Sequence, residues 1–384
     1  MQKLHRYTKK EIPGTSTTRP IASSVFSRIL EKLVYNRLIA LIEKNGILTN
    51  AQHGFRANRS TATALQDFVN DAQTAIDNKM NPIGLFMDLS KAYDVLDHKL
   101  LLYKLNAYGI RGIANLWVES YLTNRKQYVE VKSLKQGKVN SPTRGIGIGV
   151  PQGSILGPIL FTLYINDLPQ NIPNAKVVLY ADDTNMLITG KDTTTLYENL
   201  NEVITKAQTW FTANNLIVNT EKTTIMTFRT CQNKCIMLPQ ILIGGSIIPV
   251  SIRTKFLGIH INEMLKWNDH CDLLKSKLNT GHYMIYRLKK ITNLHVCRTV
   301  YFACFHAHLR YGITIWGNDP QSRKIFLLQK KVVRLMCNIN QRSSCRNIFR
   351  LLGILPLPCI YIYEMICWIK HYQGKLECNS DIRA

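Results

Sequence analysis

The sequence predicts a protein of mixed helix and sheet, of α/β or α+β class, with a helical carboxyl-terminal part. From Pro82 onward, strand-like apolar runs are separated by helical patterns. After about residue 268 the strand patterns fade and helical patterns dominate. The chain has 384 residues, of which 46% are hydrophobic, and this length suggests roughly two or three domains.

Helical patterns lie on both sides of the predicted sheet in the sequence. Residues 1–22 are polar and basic and have no strong periodicity. Ser27 to Ile42 has the pattern of an amphipathic helix that Gly46 ends, and residues 60–80 also have a helical pattern. Four further helices are predicted near the carboxyl end, at Leu273 to Leu288, Cys297 to Leu309, Ser322 to Cys337 and Ile360 to His371.

The chain carries a large excess of positive charge. Its 49 Lys and Arg residues against 25 Asp and Glu give a formal net charge of +24, and residues 271–384 alone contribute +13. Such a charge is typical of a protein that binds a polyanion, and nucleic acid is the leading partner. An anionic membrane surface is the alternative, although the sequence has no signal peptide, lipidation motif or 18-residue apolar run.

The cysteines indicate a reducing compartment. All ten lie at or after Cys231, and their spacings match no zinc-ligand repeat. We therefore expect mostly buried, reduced thiols in an intracellular protein.

Two adjacent acidic residues, Asp182 and Asp183, interrupt an apolar segment. The flanking runs at residues 177–180 and 186–188 have strand patterns, and Asp-Asp-Thr-Asn between them is typical of a turn. At the tip of a hairpin both carboxylates can approach one point, where their repulsion favours a hard divalent cation. The tetrapeptide alone also fits a solvated turn without function.

A third acidic residue, Asp88, follows the apolar strand predicted at residues 83–87. A strand end can present a carboxylate to a cleft from a rigid sheet, although a lone acid here more often caps a helix. Together with Asp182 and Asp183, it makes three carboxylates at strand ends of one domain. Three such acids are the minimum for holding two cations about 3.5–4 Å apart during in-line phosphoryl transfer.

A loop rich in glycine and proline, GVPQGSILGP, occupies residues 149–158. Its glycines let the backbone approach a flat substrate, and Gln152 offers both hydrogen-bond donors and an acceptor. Beside a cluster of acids, such a loop suits a nucleotide and its template base. The alternative is an ordinary turn before the apolar helix predicted from Ile159 to Ile165.

Seven segments follow one another along the chain: RPIASSVFSRILEKLVYNRL (19–38), QHGFRANRSTATAL (52–65), FMDLSKAYDVLDH (86–98), GVPQGSILGPILFTLYINDLP (149–169), LYADD (179–183), NNLIVNTEKT (214–223) and KFLGIHI (255–261). In this order they resemble the reverse transcriptases of non-long-terminal-repeat retrotransposons, the LINE-type, jockey-like elements. The resemblance covers about residues 19–268. Similar segments continue at LRYGITIWG (309–317), LLQKKVVRLM (327–336) and LLGILPLPCIYIYE (351–364).

The resemblance implies an α+β right-hand polymerase fold. Partial fingers would occupy residues 1–80, a palm with an antiparallel sheet and inserted finger elements 81–258, and a helical thumb with a carboxyl-terminal extension 259–384. The implied activity is RNA-directed DNA polymerisation, in which a nucleotidyltransferase adds dNTPs to a primer 3′-hydroxyl with two Mg²⁺ ions, or Mn²⁺ in their place. The implied partners are an RNA template and a DNA primer, in the nucleus and cytoplasm, without a membrane.

The resemblance also assigns chemical roles to individual residues. Asp88, Asp182 and Asp183 match the metal-binding catalytic acids, with the backbone carbonyl of Leu89 as a further ligand. Lys222 matches a lysine proposed to protonate the leaving pyrophosphate, which is a general-acid role.

The other matches concern substrates. Tyr93 matches a position beneath the incoming sugar, with a core aromatic at a helix start as the alternative. Arg19 and Arg56 lie in finger motifs that meet the triphosphate, and for Arg56 a structural role is the alternative. The remaining matches are Gln152 and Gly153 in the loop facing the nucleotide and template, and Phe256, Leu257 and Gly258 in the primer grip.

The chain departs from the family pattern in two places. No apurinic-type endonuclease segment precedes the polymerase motifs, and residues 1–18 lack the basic, glycine-containing strand that usually precedes the Arg-Pro motif. These departures predict a truncated element copy with part of the fingers missing. Three functions are open: an active reverse transcriptase, an inert remnant that binds nucleic acid, and a palm polymerase of another template class. The last, such as a viral RNA polymerase with a Gly-Asp-Asp tip, is disfavoured because the Tyr-Ala-Asp-Asp tip and the Gln-Gly loop resemble those of reverse transcriptases.

Overall fold

The computed structural model describes residues 2–5, 25–133, 137–233 and 238–371, and Arg19 lies outside these ranges. Twelve strands lie in the described residues: β1 (Gln2–His5), β2 (Asn81–Met87), β3 (Arg125–Ser133), β4 (Gly137–Asn140), β5 (Arg144–Ile146), β6 (Lys176–Tyr180), β7 (Asp183–Gly190), β8 (Thr224–Thr227), β9 (Ile241–Ile243), β10 (Ser246–Ile248), β11 (Arg253–Phe256) and β12 (Ile259–Asn262).

The helices of the same ranges confirm the predicted helical segments in place and approximate length. They are α1 (Val25–Lys44), α2 (Thr61–Asp77), α3 (His98–Ala107), α4 (Ile113–Leu122), α5 (Leu156–Tyr164), α6 (Leu168–Asn171), α7 (Thr193–Ala213), α8 (Asn268–Lys289), α9 (Leu294–Val300), α10 (Ala307–Arg310), α11 (Ile313–Trp316), α12 (Ser322–Met336), α13 (Arg346–Leu351) and α14 (Leu357–His371). A π-helical turn, Tyr301–His306, joins α9 to α10.

The chain folds into two compact units. The first comprises Met1–Ser60, Ala75–Thr227 and Cys235–Val250, and the second comprises Thr61–Thr74, Phe228–Lys234 and Ser251–Ala384. The division into fingers, palm and thumb at residues 80 and 258 follows other boundaries and stays a prediction.

The first unit contains a four-stranded antiparallel sheet in the order β6-β7-β2-β8. Met87 at the end of β2 pairs with Thr184, and Tyr180 pairs with Asp183 across the β6–β7 turn. The register therefore places the end of β2 beside this turn. β2 is buried from Pro82 to Met87, as expected for a continuous apolar run at the centre of a sheet.

Helix α5 forms the centre of the core in the first unit. All but one of its nine residues are buried, because its sequence is apolar around the whole circumference. Its core cluster also contains apolar residues of β2, β6, β7 and α7. Tyr164 is the one large side chain of α5 with a polar group, and its hydroxyl donates a hydrogen bond to the Asn214 carbonyl at 2.6 Å.

The second unit combines the β11–β12 hairpin with α8 to α14 and the first part of α2. Tyr301, Phe305 and Trp316 are among its fully buried side chains. A buried amide links two of its helices, because Gln329 Nε2 donates to the Tyr301 hydroxyl at 2.9 Å. Gln329 Oε1 accepts from the Leu357 backbone N–H at 2.8 Å, so the amide is paired at both ends.

The sequence predicts that the chain has no membrane-spanning segment and that its cysteines are reduced. None of the described helices combines the length and apolarity that crossing a bilayer requires. The eight cysteines in the described residues are free thiols, but the prediction that they are mostly buried is wrong. Three of the eight are buried, two are half-buried, and Cys231, Cys359 and Cys367 are exposed.

Candidate active site

The paired acids lie in a tight turn between β6 and β7. Ala181 has a left-handed φ of 54°, and Asp183 begins β7 by pairing with Tyr180. The predicted Asp-Asp-Thr-Asn turn is wrong by three residues, because β7 begins at Asp183. The next two residues, Thr184 and Asn185, also belong to β7 and are buried. Pairing with β2 keeps both of them in the strand, so the turn tightens onto Ala181 and Asp182. Asp182 and Asp183 are both half-buried at this tip.

A segment from the QHGFR motif supports the turn. The Leu179 N–H donates to the Ala51 carbonyl, and the His53 N–H donates to the Leu179 carbonyl, each at 2.8 Å. A Cβ added to Gly54 would lie 2.5 Å from the backbone nitrogen of Ala181. Only glycine therefore fits at position 54 without moving the turn. No local pattern in the sequence marks this glycine, because its neighbour Ala181 is far away along the chain.

Asp88 lies at the end of β2, where the NNLIVNTEKT segment runs alongside it. The Asn219 N–H donates to the Asp88 carbonyl at 2.8 Å, and Leu89 forms a β-bridge with Val218. The side chains also meet, since Lys222 Nζ lies 3.1 Å from Asp88 Oδ2. The structure thus brings the predicted general acid Lys222 to the predicted metal ligand Asp88.

The three acids influence one another electrostatically. The pKa of Asp183 is raised to about 6, first by burial and then by the negative charges of Asp182 and Asp88. The Lys222 ammonium opposes this rise. Negative charge is therefore concentrated at the β2 end and the β6–β7 turn, where a cation would relieve it.

The three acids fit a hard divalent cation in the type of donor atom and in charge, but their side chains do not lie close enough together to hold one. In the described parts of the chain, no three Asp, Glu, His or Cys side chains are close enough to hold a metal ion. Carboxylate oxygens are the ligands that Mg²⁺ prefers. Burial raises the pKa of Asp183 and the charges of Asp182 and Asp88 raise it further, while the Lys222 ammonium already pairs with Asp88. Side-chain movement must therefore accompany metal binding.

Tyr93 lies close to the acids and is partly exposed. Its ring packs against Phe161 of α5 with centroids 4.9 Å apart. Burial raises the pKa of the Tyr93 hydroxyl, and the Asp182 charge raises it further. Tyr93 thus has one side on the core and lies near the β6–β7 turn.

The Gln-Gly loop is anchored on the segment that contains Tyr93. The Val150 N–H donates to the Tyr93 carbonyl at 2.8 Å. Gln152 Nε2 contacts both carboxylate oxygens of Asp94, at 2.8 and 3.0 Å. Gly153 follows with a left-handed φ of 81° and is exposed. The structure therefore brings the predicted loop residues to the Tyr93 segment.

Arg56 and the predicted primer grip have local structural contacts. Arg56 Nη1 donates to the Thr49 carbonyl at 2.9 Å, which supports a structural role, and its triphosphate contact stays a prediction. In the second unit, Phe256 is buried, while Leu257 and Gly258 form the β11–β12 turn with φ of 44° and 86°. The primer-grip role of this turn also stays a prediction.

Comparison with known proteins identifies the family. The family model described as reverse transcriptase (RNA-dependent DNA polymerase) matches residues 7–261. The RNA-directed DNA polymerase from mobile element jockey of Drosophila melanogaster is 29% identical over 346 residues, which cover 86% of this chain and 36% of that protein. The probable RNA-directed DNA polymerase from transposon X-element of the same species is 27% identical and covers 87% and 37%. The chain thus spans just over a third of the length of these relatives.

The family match also confirms the predicted α+β right-hand polymerase fold. Among solved structures, apo telomerase from Candida Tropicalis gives a TM-score of 0.48 at 13% identity, over 97% of this chain and 68% of that chain. The family assignment depends on the family match and the relatives. The chain belongs to the reverse transcriptase (RNA-dependent DNA polymerase) family, in its non-long-terminal-repeat, jockey-like branch.

Proposed function

We propose that this chain catalyses RNA-directed DNA synthesis, extending a DNA primer on an RNA template with dNTPs. The observation that carries the proposal is the convergence of Asp88, Asp182 and Asp183 at the end of β2 and the β6–β7 turn. Burial, and then the charges of Asp182 and Asp88, raise the pKa of Asp183 to about 6 there. Three such carboxylates on one rigid sheet suit phosphoryl transfer. The relatives are named as polymerases of a mobile element and a transposon, and this enzyme would likewise act for a retrotransposon. It would act on nucleic acid in the nucleus and cytoplasm.

Reverse transcriptases as a family use divalent metals, and we propose Mg²⁺ here, with Mn²⁺ as a substitute. Asp88, Asp182, Asp183 and the Leu89 carbonyl would hold two ions. When bound, these ions supply activation of the primer 3′-hydroxyl and neutralisation of the phosphate charge.

The surrounding residues position the substrates. Tyr93 would pack beneath the sugar, and Gln152 and Gly153 would face the nucleotide and template. Lys222 has an exposed side chain and is paired with Asp88, so it can leave that carboxylate and donate a proton to the pyrophosphate oxygen. Arg19 and Arg56 would meet the triphosphate, and Phe256, Leu257 and Gly258 would meet the primer.

Primer extension with purified protein tests the proposal, with oligo-dT on a poly-rA template, dTTP and Mg²⁺. We expect the wild type to extend the primer and Asp88→Asn and Asp182→Asn to abolish extension. Both variants should bind primer and template within about threefold of the wild type, because backbone contacts elsewhere hold the duplex.

Asp77→Asn is the matched control, since Asp77 is an exposed acid at the end of α2 in the first unit. It should extend the primer at the wild-type rate. Turnover retained by both active-site variants would contradict the metal assignment. A wild type that binds the duplex but never extends it would identify the chain as an inert nucleic-acid-binding remnant.

A further inference from the structure

Asp94 has no role in the proposed function, yet it makes close contact with one of its residues. The side-chain nitrogen of Gln152 lies 2.8 Å from Asp94 Oδ1 and 3.0 Å from Asp94 Oδ2. Because an ionised carboxylate accepts hydrogen bonds at both oxygens, one amide group can satisfy both contacts. Asp94 follows Tyr93 directly in the sequence. The pair therefore links the Gln-Gly loop to the residue predicted to face the sugar.

Three further hydrogen bonds and one close approach of two backbones hold this pair in register. The Gly149 N–H donates to the Leu96 carbonyl at 2.7 Å, and the Val150 N–H donates to the Tyr93 carbonyl at 2.8 Å. His98 Nε2 donates to the Gly149 carbonyl at 2.7 Å. A Cβ at Gly149 would lie 2.5 Å from the Asp94 carbonyl oxygen, so the two backbones are in close contact there. The start of the loop and the Tyr93 segment thus form one frame.

The chemistry of the pair determines which way the Gln152 amide faces. A carboxylate has no hydrogen to donate, so the NH₂ group must point to Asp94 and the carbonyl oxygen must point away. In the described part of the chain, the Gln152 side chain makes no other hydrogen bond. Its carbonyl oxygen is therefore left as an acceptor for a ligand.

We propose that Asp94 is a positioning residue that orients Gln152, so that the Gln152 carbonyl oxygen accepts a hydrogen bond from the incoming nucleotide. This inference depends on the proposed polymerase function, which places Gln152 at the nucleotide. Without Asp94 the amide rotates and presents NH₂ and oxygen in turn. Nucleotide binding should then weaken, while the acids that perform the chemistry keep their places.

A double-mutant cycle on kcat/KM for dTTP tests the inference, using Asp94→Ala, Gln152→Ala and the double variant. We expect each single variant to lose about tenfold, mainly through a higher KM, and the double variant to be no worse than Gln152→Ala within about twofold. A loss in the double variant equal to the product of the two single losses would overturn the proposal. Asp94→Asn keeps one acceptor oxygen and should recover part of the loss.

A second measurement is independent of turnover. The side-chain NH₂ signals of Gln152 in an NMR spectrum of the free protein are identified by their absence in Gln152→Ala. They should shift in Asp94→Ala and stay in place in Asp77→Asn. Unchanged Gln152 signals in Asp94→Ala would overturn the proposal even in an inactive protein, whereas a wild type without primer extension would contradict only the polymerase function.

Discussion

At the scale of single residues, the position of Tyr93 leads to a prediction about sugar selection. One side of the ring packs on Phe161, and the hydroxyl lies within the influence of the Asp182 charge. A ring held there would clash with a 2′-hydroxyl on the incoming nucleotide. We predict that Tyr93→Ala raises incorporation of rUTP relative to dTTP by at least about tenfold, or about 1.4 kcal/mol in differential transition-state binding.

The ratio of kcat/KM for the two nucleotides on one primer and template provides the measurement. Tyr103→Ala is a suitable control, because Tyr103 is an exposed tyrosine of the same unit on α3. If Tyr93→Ala lowers both activities equally and leaves the ratio unchanged, Tyr93 is a core aromatic and has no part in sugar selection.

The acids were predictable from sequence, whereas their supporting residues were not. Asp88 and the pair Asp182 and Asp183 each interrupt or end an apolar strand, and that local pattern shows in the sequence. Gly54 and Asp94 act through contacts with chain segments far away in sequence. Such contacts depend on the register of the fold, so no local pattern marks them.

At the scale of elements, the β11–β12 turn depends on a residue from the LRYGITIWG segment. The Tyr311 hydroxyl donates a hydrogen bond to the Leu257 carbonyl, and its ring covers Gly258, where a Cβ would lie 3.3 Å from Tyr311 Cε1. The indole N–H of the buried Trp316 donates to the Tyr311 carbonyl at 3.0 Å. Leu257 has an unfavourable positive φ, so the turn requires such support.

We predict that Tyr311→Phe lowers kcat for primer extension about fivefold, which corresponds to about 1 kcal/mol for the lost hydrogen bond. The melting temperature should change little, because the ring still packs on Gly258. Tyr283→Phe serves as control, since Tyr283 is an exposed tyrosine of α8 in the same unit. An unchanged kcat in Tyr311→Phe would show that the turn does not need this bond, or that it is not a primer grip.

A helix could be predicted from the sequence where its apolar residues repeat clearly at helical spacing. Long helices such as α8 and α12 were predicted because their apolar residues repeat at helical spacing over several turns. The predicted helix at residues 297–309 instead contains the π-helical turn Tyr301–His306. Tyr301 and Phe305 are fully buried in this turn, so tertiary packing determines its winding. Periodicity alone cannot show such a local change.

At the scale of the whole molecule, the excess of positive charge predicts a strong salt dependence of binding. Helix α8 presents Lys275, Lys277 and Arg287 as exposed residues. Each phosphate contact that is lost lowers the magnitude of the slope of log K against log salt by about 0.7–0.9. We predict that replacing all three residues with Gln weakens binding of primer and template. The magnitude of the slope should fall by about 2.

Filter binding or fluorescence anisotropy across a salt series measures this slope. A charge-preserving variant, with Arg at 275 and 277 and Lys at 287, should keep the wild-type slope. A wild-type slope in the neutral variant would mean that these residues of α8 do not contact phosphates.

The close approach of Gly54 to Ala181 bears on how mobile elements decay. A single-nucleotide change turns a glycine codon into an alanine codon, and here the added methyl group would lie 2.5 Å from the Ala181 backbone nitrogen. A genomic copy with that change still encodes Asp88, Asp182 and Asp183 and would pass a search for intact catalytic motifs. Its β6–β7 turn would nevertheless be displaced. A survey of active copies should therefore score position 54 together with the three acids.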